Sequence, residues 1–534
     1  MLRLLLCFLI LPLICLCDFI KVDTSRGSVQ GFDHDFGDDQ TKRFFGYGQM
    51  FLGIPYAKAP LGARRFTLPE DIGRYNDRGE VHNATYYRPR CWQPEGTVQK
   101  AGQMDEDCLY LNVMTPNISG SCPVMVYIHG GKFTSGGADV YHWKGAVRNL
   151  VSRGVVVVTI QFRGGLIGFF TTFTERFPPN RGFYDKILAL RWVNKEIANF
   201  GGDSSRITIF GQSSGASSVS DLSLSPLARG LFHQVIQTSG PTQMQIGTIE
   251  NPLGSIHQDR ARQADSKNWN PVIDGAFLPD YPENLGERRP RYPTMIVDML
   301  EEGAYLIPGV NDGDVSNVTR ETAFELMRAL FPYYGQETVT NMTEMMFEGF
   351  AKGNFPADED HLRWAQLLSA MFSGLSFNSK MVRDALWHRN AGNDDVWLLT
   401  LAHRSLLSFN KQVEGWIPVD HCYDLPYLWF YPSVWETYNA SDADIAVADR
   451  MGEIYTDFAK NGELPFPRAR KSMNYVEIRE FLTEKTNWRS EANKVFNEEF
   501  PAYLGEFPKL KMSDAAWVRS VIKVEFDERP AMEN

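Results

Sequence analysis

The residues best suited to chemistry lie in ITIFGQSSGASS, from Ile207 to Ser218. Four strand-favouring residues run straight into Gly211-Gln212-Ser213-Ser214-Gly215, a G-x-S-x-G pentapeptide. In a nucleophile elbow the serine sits on a strained strand-to-helix turn, and the flanking glycines leave room for neighbouring backbone. The helix that follows turns its unsatisfied N–H groups toward the reacting centre. Ser213 is therefore the candidate nucleophile, against the alternative of a Ser/Gly-rich loop.

A serine hydroxyl is a weak nucleophile and needs a base, which in turn needs an orienting acid. In elbow enzymes the chain order is Ser, then Asp or Glu, then His. The segment LIPGVNDGDVS supplies Asp314, with Asp312 as its rival, on a loop after an expected strand. The segment VDHCYDLPYL supplies His421, while His361, His388 and His403 remain competitors for the base. The oxyanion needs preorganised backbone donors, and losing one costs about 10²–10³ in rate. Gly131 and Lys132, in the turn of YIHGGKF, together with Ser214, are the candidate donors.

The elements that must position these groups read as an α/β fold. Val124 to Ile128, Val155 to Phe162, Ile207 to Phe210, Val235 to Thr238, Leu306 to Val310 and Val396 to Leu401 are short apolar runs. Such runs suit strands buried on both faces of a mainly parallel sheet. Between them, Tyr184 to Asn199 carries Ile187, Leu190, Val193 and Ile197 at helical spacing. This alternation predicts a mainly parallel central sheet flanked by helices. The polar stretch from Gln258 to Tyr292 reads as surface loops, so residues 18–534 are expected to form a single domain.

The 534 residues are 43% hydrophobic and 22% charged, and 65 acidic against 54 basic residues give a net charge of −11. An acidic chain without a Lys/Arg block is a poor nucleic-acid binder. Residues 1–17 read as a signal peptide: Arg3, an apolar run from Leu4 to Leu16, then Cys15 and Cys17 before a cut at Asp18. The run is short for a membrane span, and no later stretch is long and apolar enough to be one. Acceptor sequons at Asn83, Asn117, Asn317, Asn341 and Asn439 agree with a secreted, glycosylated protein. Beyond the leader the cysteines are Cys91, Cys108, Cys122 and Cys422. Cys91 and Cys108 would close a short polar loop and are the favoured pair. No C-x2-C spacing suggests a metal.

With these motifs the chain resembles the type-B carboxylesterase and cholinesterase family, as a member that is not a cholinesterase. The likeness runs through FLGIPYAKAPLGARRF, EDCLYLNV, NRGFYDKILALRWV, NFGGDSSRITIFGQSSG, LFHQVIQTSG and HCYDLPYL. It implies an α/β-hydrolase fold, a Ser213–His421–Asp314 triad and a Cys91–Cys108 disulfide. It also implies oxyanion donors at Gly131, Lys132 and Ser214, with Gly130, Gln212 and Ser239 behind them and no cofactor or metal.

Several positions depart from the family pattern. Lys132 stands where a third glycine is usual, and Gln212 where Glu is usual. The triad acid is usually a Glu followed by Gly, whereas Asp314 is followed by Val315; His421 is followed by Cys422 rather than Gly. Between Ala264 and Asp265 a family segment of several dozen residues is missing, either lost or left out of the sequence. Val98 stands where cholinesterases place a tryptophan, so cation–π recognition of choline has no support. The expected substrate is a small-molecule ester, apolar and uncharged, hydrolysed through an acyl-enzyme, with activity rising through a histidine pKa of about 6–7. The competing readings are a catalytically impaired recognition or adhesion protein and an acyltransferase using the same triad.

Overall fold

A computed structural model describes residues 19–76, 78–93, 104–241, 269–408 and 412–505. The leader segment, Val98, the junction at 264/265 and the C-terminal tail lie outside the described residues. The strands are β1 (Phe19–Thr24), β2 (Gly27–Asp35), β3 (Tyr47–Pro55), β4 (Tyr110–Thr115), β5 (Cys122–Ile128) and β6 (Val156–Ile160). They continue with β7 (Gly202–Gln212), β8 (Gln234–Thr238), β9 (Thr294–Met299), β10 (Val396–Leu401), β11 (Tyr475–Ile478) and β12 (Leu482–Lys485). All join one sheet in the order β1-β2-β3-β4-β6-β5-β7-β8-β9-β10-β11-β12. From β6 to β11 every neighbour is parallel. The two edges are antiparallel.

Both faces of the central strands are buried, which is why their sequences are continuous apolar runs. The pleat sorts the side chains. Val124, Val126 and Ile128 of β5 join one core, while Met125 and Tyr127 join the other. The first core is covered by α1 (Arg181–Glu196) through Ile187, Leu190 and Val193, and by α2 (Ser214–Leu224) through Val219 and Leu222. The second is covered by α5 (Asp442–Asn461) through Val447, Met451 and Tyr455. A third apolar cluster gathers α3 (His361–Ser373) with the helices Arg320–Ala329 and Gln336–Ala351. One π-helical turn, Gly374–Asn378, joins α3 to α4 (Ser379–Asn390).

One expected strand is absent. Leu306 to Val310 forms 3₁₀ turns, because Pro308 offers no N–H for a ladder and Gly309 takes φ 80°. The strand that fills this place in the sheet is β9, just after the stretch read as surface loops. Cys91 and Cys108 form a disulfide, and Cys122 and Cys422 are free thiols. Asn83, Asn117, Asn317 and Asn439 are exposed. Asn341 is half-buried within the helix Gln336–Ala351, where its amide donates to the Tyr503 hydroxyl at 2.9 Å.

Lys186 of α1 is fully buried among aromatic rings, with its Nζ 3.9 Å from the Phe162 centroid and 4.1 Å from that of Phe183. Burial pushes its pKa from an ordinary 10.5 down to about 7, against the pull of Asp221 and Asp185. The folded chain thus releases this proton near pH 7, while the unfolded chain holds it to about 10.5. Unfolding between those values takes up a proton, so stability contributed here rises with pH across that window. Lys186→Met should flatten this rise, as measured by denaturant unfolding at pH 7 and pH 9.

Candidate active site

The elbow forms as the spacing predicts. Strand β7 ends at Gln212, α2 begins at Ser214, and Ser213 between them holds φ 58° and ψ −131°. This strained backbone is fixed from two sides. The Ser213 N–H donates to the Thr238 carbonyl of β8 at 2.9 Å, and the Ser213 carbonyl accepts from Ser217 N–H at 3.0 Å. The glycines are required by close approach: a Cβ at Gly215 would lie 2.0 Å from the Ile128 carbonyl oxygen.

His421 meets the nucleophile across 208 residues of sequence, with Nε2 2.8 Å from Ser213 Oγ. Its other ring nitrogen, Nδ1, lies 2.9 Å from Oε2 of Glu302, a fully buried carboxylate. That carboxylate accepts the Nδ1 proton, which leaves the Nε2 lone pair facing the serine hydroxyl. Oε1 of Glu302 accepts the Met299 N–H at 2.9 Å, so the acid is tied to the end of β9. The rings of Phe377 and Tyr305 pack on the imidazole at centroid distances of 4.8 and 5.7 Å.

This geometry corrects the expected acid. Asp314 is exposed, and its carboxylate accepts from the Ser316 N–H at 2.9 Å, a local turn that lowers its pKa. Asp312 is exposed as well. Both follow the turn at Gly309 instead of a strand end, so neither is aimed at the imidazole. Glu302 follows β9 and precedes Gly303, so the Glu-Gly pattern usual in the family is present after all. A Cβ at Gly303 would lie 2.6 Å from Phe372 Cβ, and the Gly303 N–H donates to Ser373 Oγ at 2.8 Å.

The rival histidines are engaged elsewhere. His361 Nδ1 lies 3.0 Å from the Val318 carbonyl, and His403 Nε2 lies 2.9 Å from Asp444. His388 is buried between Arg289 and Asn393.

The Gly-Gly-Lys turn lies beside the elbow. A Cβ at Gly130 would come within 2.7 Å of the Gln212 carbonyl oxygen, and Gly131 takes φ 119°. The Phe133 N–H donates to Ser214 Oγ at 3.1 Å, which fastens this loop to the first residue of α2. Lys132 takes φ 57°, a left-handed conformation that costs an L-residue about 1–2 kcal/mol and glycine little. Gln212 donates through Nε2 to the Cys422 sulfur at 3.2 Å. Ser239 takes φ 56°, gives its N–H to the Val297 carbonyl, and buries an Oγ without a partner among the described residues.

Two groups titrate here. Burial disfavours the His421 imidazolium, but the adjoining Cys422 sulfur and the Glu302 carboxylate outweigh it and raise the pKa well above 6.5. Buried Asp424, three residues on, is pushed up to about 7 by burial first and by Glu302 second. Glu302→Gln should lower kcat on the order of 10³–10⁴-fold, because an amide cannot fix the required tautomer. Asp314→Asn should change it by less than about twofold, as expected of an exposed side chain engaged in its own turn. Steady-state hydrolysis of a chromogenic ester by the two variants separates the assignments.

Comparison with known proteins agrees with the fold and the motifs. The model of the carboxylesterase family matches residues 18–264 and 255–496. Liver carboxylesterase 1F of Rattus norvegicus is 31% identical over 527 residues, covering 86% of this chain and 90% of that protein. Liver carboxylesterase 1 of Mus musculus is 30% identical, covering 80% and 85%. Gut esterase 1 of Caenorhabditis briggsae is 29% identical, covering 83% and 84%. The mainly parallel sheet, the elbow at Ser213 and these matches together make the chain a member of the carboxylesterase family, carboxylic ester hydrolases built on the α/β-hydrolase fold.

Proposed function

We propose that Ser213, His421 and Glu302 form the catalytic triad of a secreted serine esterase that works through an acyl-enzyme. The observation that carries this reading is the continuous relay from Ser213 Oγ through His421 to Glu302. Ser213 gives its hydroxyl proton to His421 Nε2 as Oγ attacks the ester carbonyl carbon. The carbonyl oxygen becomes an oxyanion, held by the N–H groups of Gly131, Lys132 and Ser214, while Glu302 stabilises the imidazolium. Collapse breaks the ester C–O bond, and His421 returns the proton to the departing alkoxide. A water molecule, deprotonated by the same nitrogen, then attacks the acyl-serine. The acid departs and the serine is restored.

The substrate class we favour is an apolar, uncharged ester, since the rings of Phe377 and Tyr305 pack on the imidazole. The assembled relay favours hydrolysis over the recognition reading, in which the nucleophile would have no use for its base. The four exposed sequons agree with passage through the secretory pathway.

A fluorophosphonate probe should label the folded protein and leave Ser213→Ala unlabelled; a folded wild type that resists labelling would falsify the esterase assignment. The base must be neutral to accept a proton, so activity falls as pH drops through the His421 pKa. With that pKa raised, the acid limb of kcat/KM should lie above 6.5. Glycosidase treatment with site mapping should find glycans at Asn83, Asn117, Asn317 and Asn439. Asn341 should be bare, because its amide nitrogen is engaged within a helix.

A further inference from the structure

The residue beside the triad acid is itself a junction. Glu301 turns away from His421 and receives four donors. Arg404 gives Nη1 to Oε2 and Nη2 to Oε1, each at 2.7 Å. Trp416 Nε1 donates to Oε1 at 3.0 Å, and the Val419 N–H donates to Oε2 at 2.9 Å. The Glu301 N–H in turn donates to the Val419 carbonyl at 2.9 Å. Arg404 also donates to the Ile417 carbonyl. A single carboxylate therefore binds the end of β9, the segment beyond β10 and the approach to His421, two residues past Val419.

We propose that Glu301 is a positioning residue, which with Arg404 and Trp416 sets the separation between Glu302 and His421. This rests on the triad assignment above. Glu302 and His421 stand on separate chain segments, and neither segment is a continuous element of the sheet at these residues. Their 2.9 Å contact therefore depends on whatever joins the segments side by side. Bidentate Arg–carboxylate bonds fix distance and angle together, which a point charge would not do. A misplacement of about 1 Å at such a site costs on the order of 10² in rate. Glutamine at 301 would keep the size of the side chain but turn an amide nitrogen toward two N–H donors, so the clasp would open.

The test compares wild type, Glu301→Gln, Arg404→Lys and Trp416→Phe, each confirmed folded by circular dichroism and thermal unfolding. Fluorophosphonate titration counts competent sites, so that kcat is expressed per site. Glu301→Gln should lower kcat per site by about 10–100-fold with KM nearly unchanged. Its acid limb should move to lower pH, because a looser Glu302 stabilises the imidazolium less. Arg404→Lys and Trp416→Phe should each give the same changes in smaller measure. The low-field proton signal of His421 Nδ1–H, read by NMR without turnover, should shift or broaden in Glu301→Gln. Folded Glu301→Gln with unchanged kcat per site, acid limb and Nδ1–H signal overturns the proposal. If Glu301→Gln does not fold, unchanged values in the other two variants overturn it. Failure of the wild type itself to be labelled or to hydrolyse would remove the esterase reading, while the NMR signal would still decide the clasp.

Discussion

Everything at this site depends on one strained residue. Ser213 occupies a backbone conformation that L-residues avoid, and it does so because β7 and α2 are packed too closely for any ordinary turn. Gly215 makes that approach possible by bringing the first turn of α2 against the carbonyl of Ile128. The hydroxyl is thereby lifted clear of the sheet, at the positive end of the helix. The strain is borne by the parallel ladders on both sides of β7. A strained backbone persists only where the surroundings over-determine it.

The acid and the base are positioned differently. Neither sits within a strand or helix; both lie on connections leaving the carboxyl end of the sheet, where open α/β folds place their ligands. Side-chain bonds do the work that ladder bonds do for the serine. Arg489 donates to the Asp298 carboxylate and to the carbonyls of Met299 and Leu300, bracing the end of β9 from behind. Glu302 and Glu301 then take over the path toward His421. Lysine at 132 is tolerated because the loop needs its backbone there, and a fixed cost of about 1–2 kcal/mol is small beside the core that surrounds it.

The central strands were legible because burial on both faces writes an unbroken apolar run, as at Val156–Ile160 and Val396–Leu401. The elbow was legible because its glycines answer to steric contacts that no other residue permits. The acid was misread for a physical reason. Strand β9 contains Asp298, which interrupts the apolar run and suggests a surface segment; it is buried because Arg489 and Thr400 satisfy it. The run Leu306–Val310 looked more like a strand but carries Pro308 and Gly309. With the strand displaced, Asp314 inherited a role that its sequence neighbours did not support. The Glu302-Gly303 pair was the available signal, and the small residue there is demanded by Phe372. The clasp at Glu301 had no sequence signature, since its donors come from three separate places.

The sheet order has a consequence for the order of synthesis. Strands β1 to β8 and the elbow are made before His421, which follows Ser213 by 208 residues. At ordinary elongation rates this interval lasts about 10–40 s. During it the nascent chain possesses its nucleophile but no base, and the hydroxyl is no more reactive than any other alcohol. On the proposed triad, the site is assembled only when the segment carrying His421 docks against the elbow.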